Sequence, residues 1–335
     1  MGIDLSLTWA VIILFGLMMY VVMDGFDLGI GLLFLRVHDE QERDIMMNTV
    51  APVWDGNETW LVLGGAGLFA AFPLAYAVVL EALAIPLIVM LLGLIFRGVA
   101  FEFRFKASPE RRHVWDKAFI GGSLMATAAQ GVALGGYIQG IAFDGVRFSG
   151  GSLDWLTPFS LLCGVGLLFA YALLGSTWLI MKTEGALQQR MYRITKPLML
   201  GLLVMIALVS VWTPLAYPNI AARWFSLPNL LWFLPVPLLV MLVGWWLWRA
   251  IAFQDTAPPF VLVLALVFLG YSGLGISLWP TIIPPDASIW QVAAPAQSQG
   301  FALVGTLFIL PIILMYTAWS YYVFRGKVNP GDAYH

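Results

Sequence analysis

Apolar residues run along this chain in blocks of about 20, separated by short polar stretches. A helix of that length crosses a hydrocarbon core of about 30 Å. Nine blocks predict membrane-spanning helices, at approximately 7–35, 52–74, 76–101, 118–141, 156–181, 197–217, 229–252, 258–282 and 300–324. The second is the least obvious. Its clean apolar part, Leu61 to Phe72, is too short alone and reaches full length only with the polar segment from Trp54 to Trp60.

The polar stretches between blocks carry the orientation. With nine spans and the N-terminus outside, fourteen Lys and Arg residues fall in inner loops or the C-terminal tail. Only Arg147 and Arg223 fall outside, and Arg97 lies within the third block. Cytoplasmic loops of membrane proteins are enriched in Lys and Arg, so this bias fixes the direction of insertion. Omitting the second block puts the later basic loops opposite those at 36–43 and 104–117 and blurs the bias. The pattern predicts an all-α polytopic membrane protein with a periplasmic N-terminus and a cytoplasmic C-terminus, forming one integral membrane domain over residues 1–335.

Composition agrees. The chain is 61% apolar and 11% charged, with mean hydropathy +0.86, against about 25% charged in an ordinary soluble domain. A net charge of −2 offers no basic surface to nucleic acid. The single cysteine, Cys163, allows no disulfide within the chain and reads as a buried, inert thiol in an apolar run. The start MGIDLSLTWA has neither a basic leader nor a cleavage motif, so 7–35 reads as a retained helix. Tryptophan and tyrosine gather near span ends, as in an interfacial belt. The glycine pairs Gly131/Gly135 and Gly136/Gly140 suit close helix packing.

Within this apolar background the acids stand out. Asp24 and Asp27 are spaced i, i+3, as are Asp55 and Glu58, so each pair shares a helix face. With the predicted topology, Arg97 and Glu102 arrive at the same cytoplasmic level from the third span. Five carboxylates and one arginine are thus expected in one region. A proton relay, a structural ion-pair cluster and a cation site all fit that pattern. One arginine cannot neutralise five acids, and an excess of acid suits proton carriage. Glu81, early in the third span, either snorkels to the outer interface or sits at a subunit contact. Gln130 and Gln139 read as cross-helix hydrogen-bonding groups. The histidines, His38, His113 and His335, all fall in inner loops or the tail. With no cysteine cluster and no histidine inside a span, this chain is not expected to hold a redox metal alone, and if it belongs to a redox machine a partner carries the metal.

Three motifs carry a resemblance. They are Asp24-Gly25-Phe26-Asp27-x-Gly29, Ala51-Pro52-x-Trp54-Asp55-Gly56-Asn57-Glu58-x-Trp60 and Phe96-Arg97-x-x-x-Phe101-Glu102-x-Arg104. Together with the closing Pro311 to Trp319 stretch, they resemble subunit II of the cytochrome bd-type quinol oxidases. The compact loops are similar to the cyanide-insensitive branch. Many members have proline after the arginine of the third helix, where this chain has Gly98. The resemblance implies two four-helix bundles plus one peripheral helix. It implies a complex that oxidises quinol and reduces dioxygen to water, taking protons from the cytoplasm. Haem b and haem d are then held by subunit I, the partner in a heterodimer. Subunit II supports that partner and supplies part of a proton path. Carried over by position, Asp55 is the leading path residue, with Asp24, Asp27, Glu58, Arg97 and Glu102 near it. Trp60 falls beside an oxygen-access route. Some members hold a structural quinone in this subunit, and a small accessory single-helix subunit is a further implied partner. A proton-coupled transporter is the alternative from another class, but the acids occupy one third of the chain and no inverted repeat is visible.

Overall fold

The computed structural model describes residues 3–328. Its first helix, α1 (Leu5–Leu33), starts at Asp4, whose carboxylate accepts from the Leu7 amide at 3.0 Å. A short polar helix follows, α2 (Glu40–Asn48), capped in the same way by Asp39. Then come α3 (Trp54–Ala71), α4 (Pro73–Ala82), α5 (Ala84–Lys106) and α6 (Pro109–Ile138). The helix α7 (Pro158–Lys182) opens on a capping box between Thr157 and Ser160. The rest is α8 (Gly185–Ala216), α9 (Pro218–Phe225), α10 (Asn229–Phe233), α11 (Pro235–Ala252) and α12 (Pro258–Leu278). Two short strands, β1 (Thr281–Ile283) and β2 (Ala287–Ser288), pair antiparallel before α13 (Ala296–Val323).

Eight helices among the described residues are long and apolar enough to cross a membrane. Helix α3 is not among them, because Asp55, Asn57 and Glu58 occupy its first turns. It nevertheless lies along α1 in the opposite direction. Asn57 meets the Met23 carbonyl at one end, and Gly67 packs on Ile13 and Trp9 at the other.

Several boundaries differ from the expected ones. The third block divides at Leu83 into α4 and α5, with Pro73 starting the first piece. Helices α6 and α8 begin roughly two and a half to three turns before their apolar blocks, in charged sequence. Hydropathy marks the length of chain in lipid, and helices continue beyond it wherever charged residues can remain solvated. Helix α5 runs unbroken through Gly98, whose position faces the Trp54 ring.

Helix α1 is the axis of the core, packed against α3, α6 and α7. The approach to α7 is backbone on backbone. A Cβ on Gly29 would overlap the Tyr171 carbonyl, and one on Gly175 would meet the backbone of Gly29. At one end of α1, the segment between α12 and α13 closes over the bundle. Ala294 donates to Ala71 at 2.8 Å, Ile141 to Pro284 at 2.8 Å, and the Trp290 indole to Asp4 at 2.9 Å. Helix α13 is the least covered of the long helices, with Gln299 alone buried among its described residues.

Candidate functional site

The helix packing turns Asp24 and Asp27 inward, and both are fully buried. Arg97 of α5 is buried too, and its Nη2 lies 2.9 Å from Asp24 Oδ1. The same guanidinium pairs with Glu58 of α3, a side chain 29% exposed. Asp27 is not bonded to the arginine. It accepts from Asn57 Nδ2 at 2.8 Å, and Asn57 Oδ1 in turn accepts from the Tyr321 hydroxyl of α13 at 2.9 Å. The Tyr20 hydroxyl stands beside Asp24 and accepts from Gln130 at 2.7 Å, while Tyr171 donates to Gln130 at 2.9 Å. Five elements besides α1 thus feed one buried polar group.

Aromatic rings wall this group. Arg97 sits 5.7 Å over Trp54, and Trp54 stacks on Phe101 with centroids 5.3 Å apart. Phe26, between the two aspartates in sequence, stacks on Trp178 at 4.3 Å. Such walls exclude bulk water and strengthen every charge interaction inside them. Asp27 Oδ1 and the Nε and Nη1 of Arg97 have no hydrogen-bond partner among the described residues.

Two expected members of the cluster stand elsewhere. Asp55 is exposed on the outer surface of α3, with no ion pair among the described residues. Glu102 is exposed and pairs with Lys106 at 3.4 Å. It lies five residues past Arg97, roughly 140° around the helix, so it leaves on the opposite side. Trp60 is completely buried, edge-on to Phe15 at 5.8 Å. Glu81 is exposed at the end of α4. Gln139 bridges the Asp154 carbonyl and the Thr157 hydroxyl.

A second ionic group caps the same end of the bundle. Asp116 of α6 accepts from Arg43 at 2.7 Å and from the buried Arg104. Arg104 also pairs with Asp44, and Arg112 lies 3.5 Å from Asp44. Arg43 and Arg104 both sit over the Phe34 ring, at 5.3 and 5.8 Å. Apart from Arg104, which closes the third motif, these residues read in the sequence only as loop charge. Asn57 stood in the second motif without a role, and Tyr20 and Tyr321 carried no signal, although Tyr20 stands one helical turn from Asp24.

The family described as cytochrome bd terminal oxidase subunit II matches residues 5–324, nearly the whole chain. The chain belongs to this family. It is a multi-pass inner-membrane protein and a subunit of an oxidoreductase complex. It is 31% identical to cytochrome bd-I ubiquinol oxidase subunit 2 of Escherichia coli K12, over 93% of this chain and 92% of that one. It is 29% identical to cytochrome bd ubiquinol oxidase subunit 2 of Bacillus subtilis, over 96% of each. In fold it is similar to a chain of the bd oxidase from Geobacillus thermodenitrificans, with a TM-score of 0.78, 15% identity, and coverage of 97% of this chain and 100% of that one.

The family's complexes carry haem, so the donors available here matter. His38 and His113 are exposed, outside the apolar stretches, and His335 lies outside the described residues. His113 Nδ1 already faces the Glu110 carbonyl at 2.8 Å. Cys163 is buried against the glycines of α6. Among the described residues no cluster of three His, Cys, Asp or Glu side chains could hold a metal. The described histidines, both exposed, do not fit an axially ligated haem within the bundle.

Proposed function

We propose that this chain is the proton-delivering and assembly subunit of a terminal oxidase that oxidises quinol and reduces dioxygen to water. The observation that carries the reading is the charge count at the buried site. One guanidinium faces Asp24, Asp27 and Glu58, two of which are out of reach of solvent. Acids in excess of their cation, inside a membrane bundle, are what a site that takes up and passes protons needs. Haem b and haem d belong to subunit I, in keeping with the donors present here. Quinol is the reductant, as the names of the relatives state for those proteins.

The topology we assign is nine spans in two four-helix bundles plus a peripheral helix, with α3 as the added span. The N-terminus is periplasmic and the C-terminus cytoplasmic, within a single membrane domain. This places the Arg97 group and the Arg104 group toward the cytoplasm. Asp55 then faces outward at membrane depth, where a carboxylate on lipid is strongly disfavoured. We assign that face of α3 to subunit I and Asp55 to the hand-over of protons across the interface. Trp60 lines the oxygen side of the same helix, and Glu102 marks the cytoplasmic approach. A structural quinone and a small accessory single-helix subunit complete the assembly implied by the resemblance.

Asp55→Asn in the purified complex tests the hand-over. Oxygen consumption is expected to fall while the haem spectrum stays unchanged, because the amide keeps shape and loses the proton. Normal turnover across a range of pH would overturn the role of Asp55. A complex without a haem d band would overturn the oxidase assignment.

A further inference from the structure

Aromatic rings wall the buried acids, and a row of unpaired hydroxyls runs along α6 beside α1. On that helix Asp116, Ser123, Thr127 and Gln130 are spaced i, i+7, i+11 and i+14, which keeps them within roughly 60° of one another. The α1 residues Tyr20, Asp24, Asp27 and Gly31 form a matching row. The two rows face each other. A Cβ on Gly31 would overlap Ser123 Oγ, and Gln130 reaches Tyr20 at 2.7 Å. The helices run in opposite directions, so one turn on from the Ser123–Gly31 contact Thr127 and Asp27 stand at the same level.

Ser123 and Thr127 are fully buried, and neither hydroxyl has a hydrogen-bond partner among the described residues. That is unusual within this molecule. Other buried hydroxyls on its helices donate back to their own turn: Thr177 to Leu173 at 2.9 Å, Thr195 to Met191 at 2.8 Å, and Thr213 to Val209 at 2.7 Å. A buried hydroxyl that makes no such bond is a group aimed at something else, commonly water. At one end the row starts from Asp116 in its arginine group, and at the other Gln130 bonds Tyr20, which stands beside Asp24. Near this row the rings of Phe34 and Phe119 meet edge to face with centroids 4.9 Å apart.

We propose that the α1–α6 seam is the cytoplasmic inlet of the buried acid group, with Asp116 at its mouth and the Ser123 and Thr127 hydroxyls lining it. The proposal rests on the proton-delivery reading above and names the route by which protons reach it. A hydroxyl there accepts one hydrogen bond and donates another. With water bridging the hydroxyls, a proton can therefore pass along the row to a carboxylate and leave each hydroxyl unchanged.

The test uses the intact complex in membranes. Ser123→Ala with Thr127→Val removes both hydroxyls at nearly constant volume. Oxygen consumption and proton uptake, followed with a pH-indicator dye, are measured across pH beside Asp27→Asn. The double variant is expected to slow about tenfold at alkaline pH, recover toward acid pH, and keep its haem bands. Thr127→Ser, which retains the hydroxyl, is expected to run at the wild-type rate. If Asp27→Asn is slow and the double variant is normal, the inlet lies elsewhere and the inference falls while proton delivery stands. If both are normal, proton delivery itself falls. Should the double variant lose its haem bands, Thr127→Val alone is read by the same criteria.

Discussion

Arg97 touches two acids at once, and its removal exposes what the pairing does. Arg97→Met would leave Asp24 and Glu58 without their cation, one of them fully buried. Breaking a buried pair from one side costs about 3–5 kcal/mol. The expected result is a sharp fall in recovered complex, measured as haem-loaded yield and thermal inactivation temperature. Arg97→Met combined with Asp24→Asn should recover part of that loss, since fewer charges are then stranded. Tyr321→Phe is a milder change. It removes one donor from Asn57 and is expected to cost about 1 kcal/mol, read as a small drop in inactivation temperature with the complex retained. Spacing in the sequence was enough to pair Asp24 with Asp27. It could not place Asp55, because i, i+3 residues diverge by about 60°. The packing of Glu58 onto Arg97 turns Asp55 away.

At the scale of elements, close helix approach makes a sharp prediction. Gly29→Ala would drive a methyl into the Tyr171 carbonyl and push α1 off α7. Overpacking of this kind costs about 1–3 kcal/mol, and loss of assembled complex is expected. Gly121→Ala is the control, since no neighbouring atom lies within 4 Å of its Cβ position. It should be neutral or gain about 0.5–1 kcal/mol of helix stability. The clasp between α12 and α13 gives a pH prediction. The Asp4 carboxyl is held below its usual range by the Leu7 amide, and then by the Trp290 indole. A depressed carboxylate stabilises the fold above its unfolded value, and that contribution disappears as pH falls through the lower folded value. Acidification is therefore expected to loosen the clasp, seen as faster hydrogen exchange across residues 279–295 while α7 stays protected.

For the whole molecule, the uncovered surface says where other components sit. Along α13, Phe301 is 87% exposed and Phe308 72%, an apolar surface made for lipid or another chain. Asp55 and Thr59 on α3 are exposed beside it, and the Tyr316 ring of α13 packs near Gly56. A cysteine at Thr59, in a Cys163→Ala background, is expected to cross-link to subunit I, whereas one at Met241 on α11 is expected not to. Cross-linking at Met241 alone would move the interface to the other bundle.

The alternation of apolar blocks and basic loops determined that this chain is a helical membrane protein, because desolvation leaves a long apolar segment few other choices. The motifs also located the acids and Arg97, since charged groups in such blocks are conspicuous. Rotation of each helix about its own axis was left open, because glycine contacts and ring stacking between helices set it. Only the tertiary structure could therefore join Asn57, Tyr321 and Gln130 to the acids, send Asp55 and Glu102 outward, and align Ser123 and Thr127 with Asp27. Its physical basis is close packing, which fixes which face of a helix meets which neighbour, and hydropathy carries no record of that choice.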